Sequence, residues 1–582
     1  MSVLDFLSTS QWTPLGPETI NAPGIGIGLA AGRVEAAAPD PKNADVMYVN
    51  GSNGGIWKTG VWNNDPPVWL VLGDGLPSLS CGGYHSLLVH PASSKIILGV
   101  ASGVGAGLLK SNPSTLSFQL LGNSFFEGAN LGSIAVHPTN TDIVYVSCWG
   151  NGPGGGVYKS TDGGKNWHSI TTFHAGAASD VIVPEADPDT VYIGLIPSGG
   201  NGVATSGVYK STHFGAPPWH LQTGLESGSA VGAKDANGNF TAAIRLAAAS
   251  VSGTVYVALF TANVLGKAFD KRYKTTNGGT TWTPLTATPG NPETRSWHLL
   301  LAVDPQDANH VFANDAYALF QSVDGGKTWS SAEPAKPIGD DWVNMSFDAN
   351  RNGVVTSDQG VYRVSLKDKK WTCCDGNLEL TQFYDVTLDP TNPDVAYGIG
   401  QDQRAAMKFS GSVEWGYMPT GSETGKVLVD PGNTKLLYVY SPQQPGAWVS
   451  HSKDGGQTWK TILTTNGFQK DNYNLAYSTQ KSFVHPACCW APTRCRKPRT
   501  PTPIRRPGHR LESRAILNSL RRWRSHLRTA KPCTLPRSMG TCGPRKAAAR
   551  DGTTWITGCL DLPRETWLTF VWIPQTRSTF SR

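Results

Sequence analysis

Apolar and polar positions in this chain recur over long intervals rather than at helical spacing. A short apolar run is followed by a turn of the type Asp-Pro-x-Asn-Pro and then by a Val-Tyr-Val run. The pattern occurs at residues 34–50 (VEAAAPDPKNADVMYVN), 134–147, 300–314, 386–399 and 427–440. Looser versions are LLVHPASSKIILGV, VIVPEADPDTVYIG, LAAASVSGTVYVAL and MSFDANRNGVVTS. The equivalent positions in the second run are Tyr48, Leu98, Tyr145, Tyr192, Tyr256, Phe312, Val355, Tyr397 and Tyr438, spaced 41 to 64 residues apart. That period leaves room for four short strands per unit. Such units cannot bury their faces alone and must stack on their neighbours.

A second signal falls between these runs. Ser160-Thr-Asp-Gly-Gly-Lys-Asn-Trp167 recurs as Thr275 to Trp282 (TTNGGTTW), Ser322 to Trp329 (SVDGGKTW) and Ser452 to Trp459 (SKDGGQTW). It reads as a hairpin turn. The Asp or Asn side chain caps backbone N–H groups, Gly-Gly supplies positive φ, and Trp opens the return strand as a packing anchor. The octet resembles the Asp-box (BNR repeat) of sialidase-like, sortilin-type and xyloglucan-cleaving β-propellers. The expected fold is therefore all-β. A seven-bladed propeller is expected over 1–372, with Gln11 to Leu15 as a closing outer strand. The first blades of a second propeller are expected over 373–484.

Residues 485–582 break the pattern. They lack alternation and turn logic, and Arg, Pro and Cys rise together. We read this tail as out-of-frame translation, or alternatively as a basic disordered segment. Codons for Glu565 to Ser581 can be chosen so that a two-base shift restores the repeat. The half turn Asp551-Gly-Thr-Thr-Trp555 counts against a simple single shift.

Charge and cysteine follow the same division. The formal net charge of +7 conceals a tail, from residue 483, with 17 Arg and 3 Lys against 4 acids. The body is mildly acidic, which argues against a nucleic-acid partner. Cys81, Cys148, Cys373 and Cys374 have no metal-ligand spacing, and Cys373-Cys374 reads as part of a strand rather than a redox pair. No cofactor or metal is expected, and His85, His137 and His298 read as structural. The start MSVLDFLSTSQW has neither a basic nor an apolar leader region, so no signal peptide is read. As written, that start implies a cytoplasmic protein; an incomplete N-terminus would leave an exported one open. No apolar run is long enough to span a membrane.

Candidate chemistry lies in the loops where second strands end and first strands begin. These loops supply Asn53, Trp149, Asn151, Asp315, Asp358, Gln401, Asp402 and Arg404, and then Trp297, His298, Asp340, Asp341, Trp342 and Tyr384. Aromatic rings beside carboxylates and amides suit a polysaccharide or glycan, with rings on sugar faces and polar groups on hydroxyls. The alternative is that Trp297, Trp342 and Tyr384 only pack the tops of the blades.

Residues 1 to about 480 resemble the xyloglucan-cleaving double propellers. The resemblance implies an inverting glycoside hydrolase with one Asp from each propeller, acting as acid and base across a cleft. At the first family position, of form Thr-Asp-x-Gly-Gly, this chain has Ser52-Asn53-Gly54-Gly55. At the second it has Thr381-Gln382-Phe383-Tyr384. An amide cannot act as a general base. Asp341 (with Asp340), Asp315, Asp358 and Asp402 are the remaining acidic candidates. Sialidase chemistry would need three arginines on a carboxylate, and only Arg33 stands near a strand start without the accompanying motif. A non-catalytic, sortilin-type peptide- or protein-binding propeller is the alternative function.

Overall fold

The computed structural model describes residues 16–22, 28–72, 80, 82–103, 106–115, 117–150, 152–173, 176–196, 207–225, 240–262, 268–287, 299–315, 318–334, 341–401, 406–411, 415–418, 420, 425–441, 446–466, 545–548 and 554–557. Among them are nine four-stranded antiparallel sheets, each built from consecutive strands. Their first strands are Val34–Pro39, Leu87–Val89, Asn130–Val136, Ala177–Ile182, Phe240–Ala248, Leu301–Asp304, Trp342–Phe347, Phe383–Asp389 and Lys426–Val429. We number the sheets one to nine in that order. The one described α-helix is the single turn Asn123–Phe126.

All nine equivalent positions read from the sequence fall in second strands, from Tyr48 in Met47–Gly51 to Tyr438 in Leu437–Ser441. The apolar runs are therefore paired strands, and the Asp-Pro turns join them.

The recurrent octets are hairpin turns that share their backbone capping, while Trp329 Nε1 donates instead to Thr286 O. In Ser160 to Trp167, Ser160 Oγ accepts from Gly164 N at 2.8 Å. Asp162 Oδ1 accepts from Lys165 N at 3.0 Å and Asn166 N at 2.9 Å. Trp167 Nε1 donates to Gly164 O at 2.8 Å. Gly163 and Gly164 have φ of 74° and 98°, values that favour glycine. Asp324 and Asp454 repeat the carboxylate role, and Asn277 performs it with its amide oxygen. The Asn166 N–H, Asn166 amide and Ser160 hydroxyl hold Asp162 down to about 2.

Successive sheets bury one another through their first and second strands. Tyr48, Tyr145, Tyr192 and Tyr256 each pack into the core shared with the following sheet. A lysine from the third strand lies over four of these tyrosine rings, for example Lys159 over Tyr145 at 5.6 Å. The series closes on itself. Val354 and Val361 of sheet seven share a core with Val34, Met47, Val49 and Trp57 of sheet one and with Trp69 just before its fourth strand.

The middle of this cycle is filled. Tyr84, just before sheet two, reaches the backbone of Leu301 in sheet six, and Leu301 N donates to its hydroxyl at 2.9 Å. Arg245 of sheet five lies over the Tyr84 ring at 4.8 Å. Asn344 of sheet seven donates to Tyr84 O at 3.3 Å.

Sheets eight and nine share a separate core of Tyr397, Ile399, Val427, Val429 and Val439. The opposite face of sheet eight's first strand is open: Tyr384, Val386 and Leu388 are 51%, 50% and 57% exposed. The short hairpin Ile20–Ala22 with Gly28–Ala30 touches the outer strand Gly416–Met418 of the same sheet. Gln11 to Leu15, the expected closing strand, lies outside the described residues. The tail contributes only the hairpin Arg545–Ala548 with Thr554–Thr557 to the described structure.

Candidate functional site

Two of the expected loop ends, those carrying Asn53 and Asp358, lie where sheets seven and one meet. Arg33 precedes the first strand of sheet one. Its Nε meets Glu35 Oε1 at 2.8 Å, and its Nη1 meets Asp358 Oδ1 at 2.9 Å. Glu35 is the extra residue of a bulge between Val34 and Ala36, which aims its side chain along with Arg33. The turn carrying Asn53 leans on this group, since Ser52 N donates to Arg33 O at 3.3 Å. Asn53 is exposed at its tip. Leu380 Cδ2 packs close to Gly54, so that a Cβ there would come within 2.4 Å of it.

The other candidates separate by environment. Asp315 caps a tight turn, with Oδ1 accepting from Ala318 N at 2.7 Å while its own N–H donates to Ala318 O at 3.0 Å. Asp341 is half-buried, immediately before sheet seven, in the left-handed region at φ 54°, a conformation that carries strain in a non-glycine residue. Gln401 is half-buried and donates from its backbone to Gln382 O at 2.8 Å. Trp149 is half-buried and packs against the cores of sheets four to six.

Trp342 is a correction to the expected sugar platform. It is 1% exposed, packed on Tyr362 and Trp371, and its indole N–H donates to Glu333 Oε1 at 2.6 Å. A ring so enclosed cannot stack on a sugar. Tyr384 does reach solvent, on the open face of sheet eight. Asn151, Trp297, His298, Asp340, Asp402 and Arg404 lie outside the described residues.

Sequence reasoning missed the polar cluster at the axis. Asp180 is fully buried. Its Oδ1 accepts from Ser133 Oγ at 2.6 Å, and its Oδ2 accepts from Leu246 N at 2.9 Å. His85 Nδ1 lies 3.5 Å away. Burial pushes the Asp180 carboxyl up, but His85 foremost, then Arg245 and Ser133, hold it below the usual range. The available signal was a polar residue interrupting an apolar first strand, in AASDVI and again in FYDVTL. Asp385 repeats the arrangement, accepting from Val427 N of the next sheet at 3.2 Å, and burial raises its carboxyl.

Among the described residues no group of three or more His, Cys, Asp or Glu could hold a metal ion, and no helix is long and apolar enough to cross a membrane.

No family model matches the chain. A xyloglucanase from a Paenibacillus species is 26% identical over 250 residues, covering 34% of this chain and 24% of that enzyme. The match thus spans about a quarter of the relative's length. The crystal structure of the GH74 xyloglucanase from Xanthomonas campestris superposes with a TM-score of 0.54 at 17% identity, covering 75% of this chain and 68% of that one. An ancestral GH74 enzyme gives a TM-score of 0.54 at 16% identity, over 78% and 64% of the two chains.

The fold is an all-β propeller. In propeller terms, the Arg33, Glu35 and Asp358 group lies where first strands start and second strands end, close to the seam between sheets seven and one. Asn53 stands beside it as the exposed polar tip.

Proposed function

We propose that this propeller is a carbohydrate-associated, glycoside-hydrolase-like protein that binds a polysaccharide through the loops around sheet one. In this reading the first seven sheets are the blades of one ring, and sheets eight and nine begin a second. The reading rests chiefly on the convergence of Asn53 with the Arg33, Glu35 and Asp358 group at one rim. Such a mix of amide, carboxylate and guanidinium donors and acceptors matches sugar hydroxyls. The similarity to a xyloglucanase supports a glucan as the ligand class.

Hydrolysis would require an acid and a base. Asn53 can be neither. Asp358 is tied to Arg33, and Asp315 is used as a turn cap. Asp341 is the described acid best placed to act on a ligand, because it is partly open to solvent and precedes a first strand. Binding without turnover is the outcome this constellation favours.

A glycan-array screen, run beside a reducing-sugar release assay on β-glucans, tests the reading. Binding of a glucan without release supports a binding propeller. Release that disappears in Asp341→Asn makes the protein an enzyme with that residue in its machinery. If no glycan binds, the carbohydrate reading is wrong and the peptide-binding one takes its place.

A further inference from the structure

The segment between sheets seven and eight holds a buried carboxyl that the rim site does not use. Residues 374–380 leave the strand Trp371–Cys373, cross the seam between sheets seven and one, and run on to sheet eight. The crossing is dense. Trp69 N donates to Asn377 Oδ1 at 2.7 Å, and Asn377 Nδ2 returns a bond to Trp69 O at 3.1 Å. Trp69 Nε1 donates to Cys374 O at 2.9 Å. Leu380 N donates to Ala31 O at 3.1 Å, and Leu380 forms a parallel bridge with Gly32. These contacts fasten the start of sheet one to the connection that carries sheets eight and nine.

Asp375 sits inside this crossing, fully buried. Val361 N donates to its Oδ1 at 2.7 Å, and the Cys373 thiol lies 3.3 Å from its Oδ2. The Ala31 N–H, bonded to Gln359 O at 2.7 Å, lies on the side of sheet one. From sheet seven, Gly360 closes over the carboxyl so tightly that a Cβ there would lie 2.0 Å from Oδ1. The titratable groups packed here are the Cys373 and Cys374 thiols, with Arg363 and Asp65 acting on Cys374 rather than on the carboxyl. The partners of Asp375 are thus neutral dipoles. A carboxylate without a cation is costly in such a place, whereas a protonated carboxyl is not.

We propose that residues 374–380 form a pH-dependent latch, closed when Asp375 is uncharged and loosened as the solution goes from acid to neutral. Burial pushes the Asp375 carboxyl up to about 7, against the Val361 and Cys373 hydrogen bonds that lower it. In the opened latch the same carboxyl titrates near its ordinary value of 3.8. Between those values the open state binds fewer protons than the closed one. Latch stability therefore falls as pH rises through that window and levels off above about 7. The thiols do not contribute, because burial raises Cys374 to about 12 and Cys373 further still. The effect is on the joint between the first seven sheets and sheet eight, and it holds whether or not the rim binds glycan.

Hydrogen exchange of the full chain, corrected for intrinsic rates, tests this between about pH 5 and pH 8. Protection of peptides covering 374–381 and 30–34 is expected to fall at least about tenfold up to neutrality and then stay level. Peptides from the interior strand Val191–Ile196 are expected to stay constant. In Asp375→Asn, which keeps an acceptor for Val361 N but cannot ionise, the profile should be flat. Equal wild-type protection across the range, or an unchanged fall in Asp375→Asn, overturns the proposal. If that variant does not fold, the wild-type profile alone decides, since a fall shared by all peptides would be global and not a latch.

Discussion

Tyr84→Phe removes a single oxygen from the middle of the ring. The hydroxyl donates to Leu301 O and accepts from Leu301 N at 2.9 Å, so it satisfies both backbone groups of one residue in sheet six. Both partners are buried, and Tyr84 lies next to sheet two, far from sheet six in sequence. Without the oxygen, a buried N–H and C=O of Leu301 both lose this partner. Each such loss costs about 1–3 kcal/mol, and partial relaxation makes about 2–4 kcal/mol the expected total. The phenyl ring retains the Arg245 guanidinium above it. Tyr84→Leu should therefore cost more, because the buried Arg245 would lose its ring as well. Urea unfolding followed by tryptophan fluorescence measures the total. Exchange of the Leu301 amide reports the site itself. A loss under about 0.5 kcal/mol, with Leu301 still protected, would refute the view that this hydroxyl bolts the ring across its axis.

Two further perturbations probe the seam and the open sheet. Gly32 has φ 111°, and a Cβ there would come within 2.3 Å of Leu380 O, so Gly32→Ala should cost about 2–4 kcal/mol in a urea titration and weaken the latch first. Val386→Lys combined with Leu388→Lys should leave the fold intact, because both side chains face solvent, and should lower self-association in analytical ultracentrifugation. A double variant that unfolds would mean that another surface covers that face.

The sequence was most readable where structure is made by neighbours in the chain. The octets specify their turns with their own atoms: Ser160, Asp162, Gly163, Gly164 and Trp167 are all within eight residues, and each plays the part its chemistry suggests. The second strands were equally plain, since every equivalent position is in one. The axis was opaque because its contacts are non-local. Nothing near Tyr84 in the chain points to Leu301, and nothing near Asp180 points to Leu246 or His85. Aromatic residues at loop ends, for which packing was the alternative, divide for a related reason. Trp342 and Tyr384 both open first strands, but one ring is enclosed by Tyr362 and Trp371 while the other meets solvent.

Burial in a stacked-sheet protein belongs to the neighbour as much as to the strand. Val386 and Leu388 pair with Gly398 and Ala396 in sheet eight as Val427 and Val429 pair with Val439 and Leu437 in sheet nine. The two strands carry the same pattern in the same register. Yet Val427 and Val429 are 0% and 3% exposed against sheet eight, while Val386 and Leu388 are half open. Among the described residues, sheet nine has a sheet packed on that face and sheet eight has none. A strand composition that could support a core therefore makes one only when the ring supplies the opposite face. For this chain, sheet eight leans on the crossing at 374–380, on the hairpin strand Ile20–Ala22 and on sheet nine.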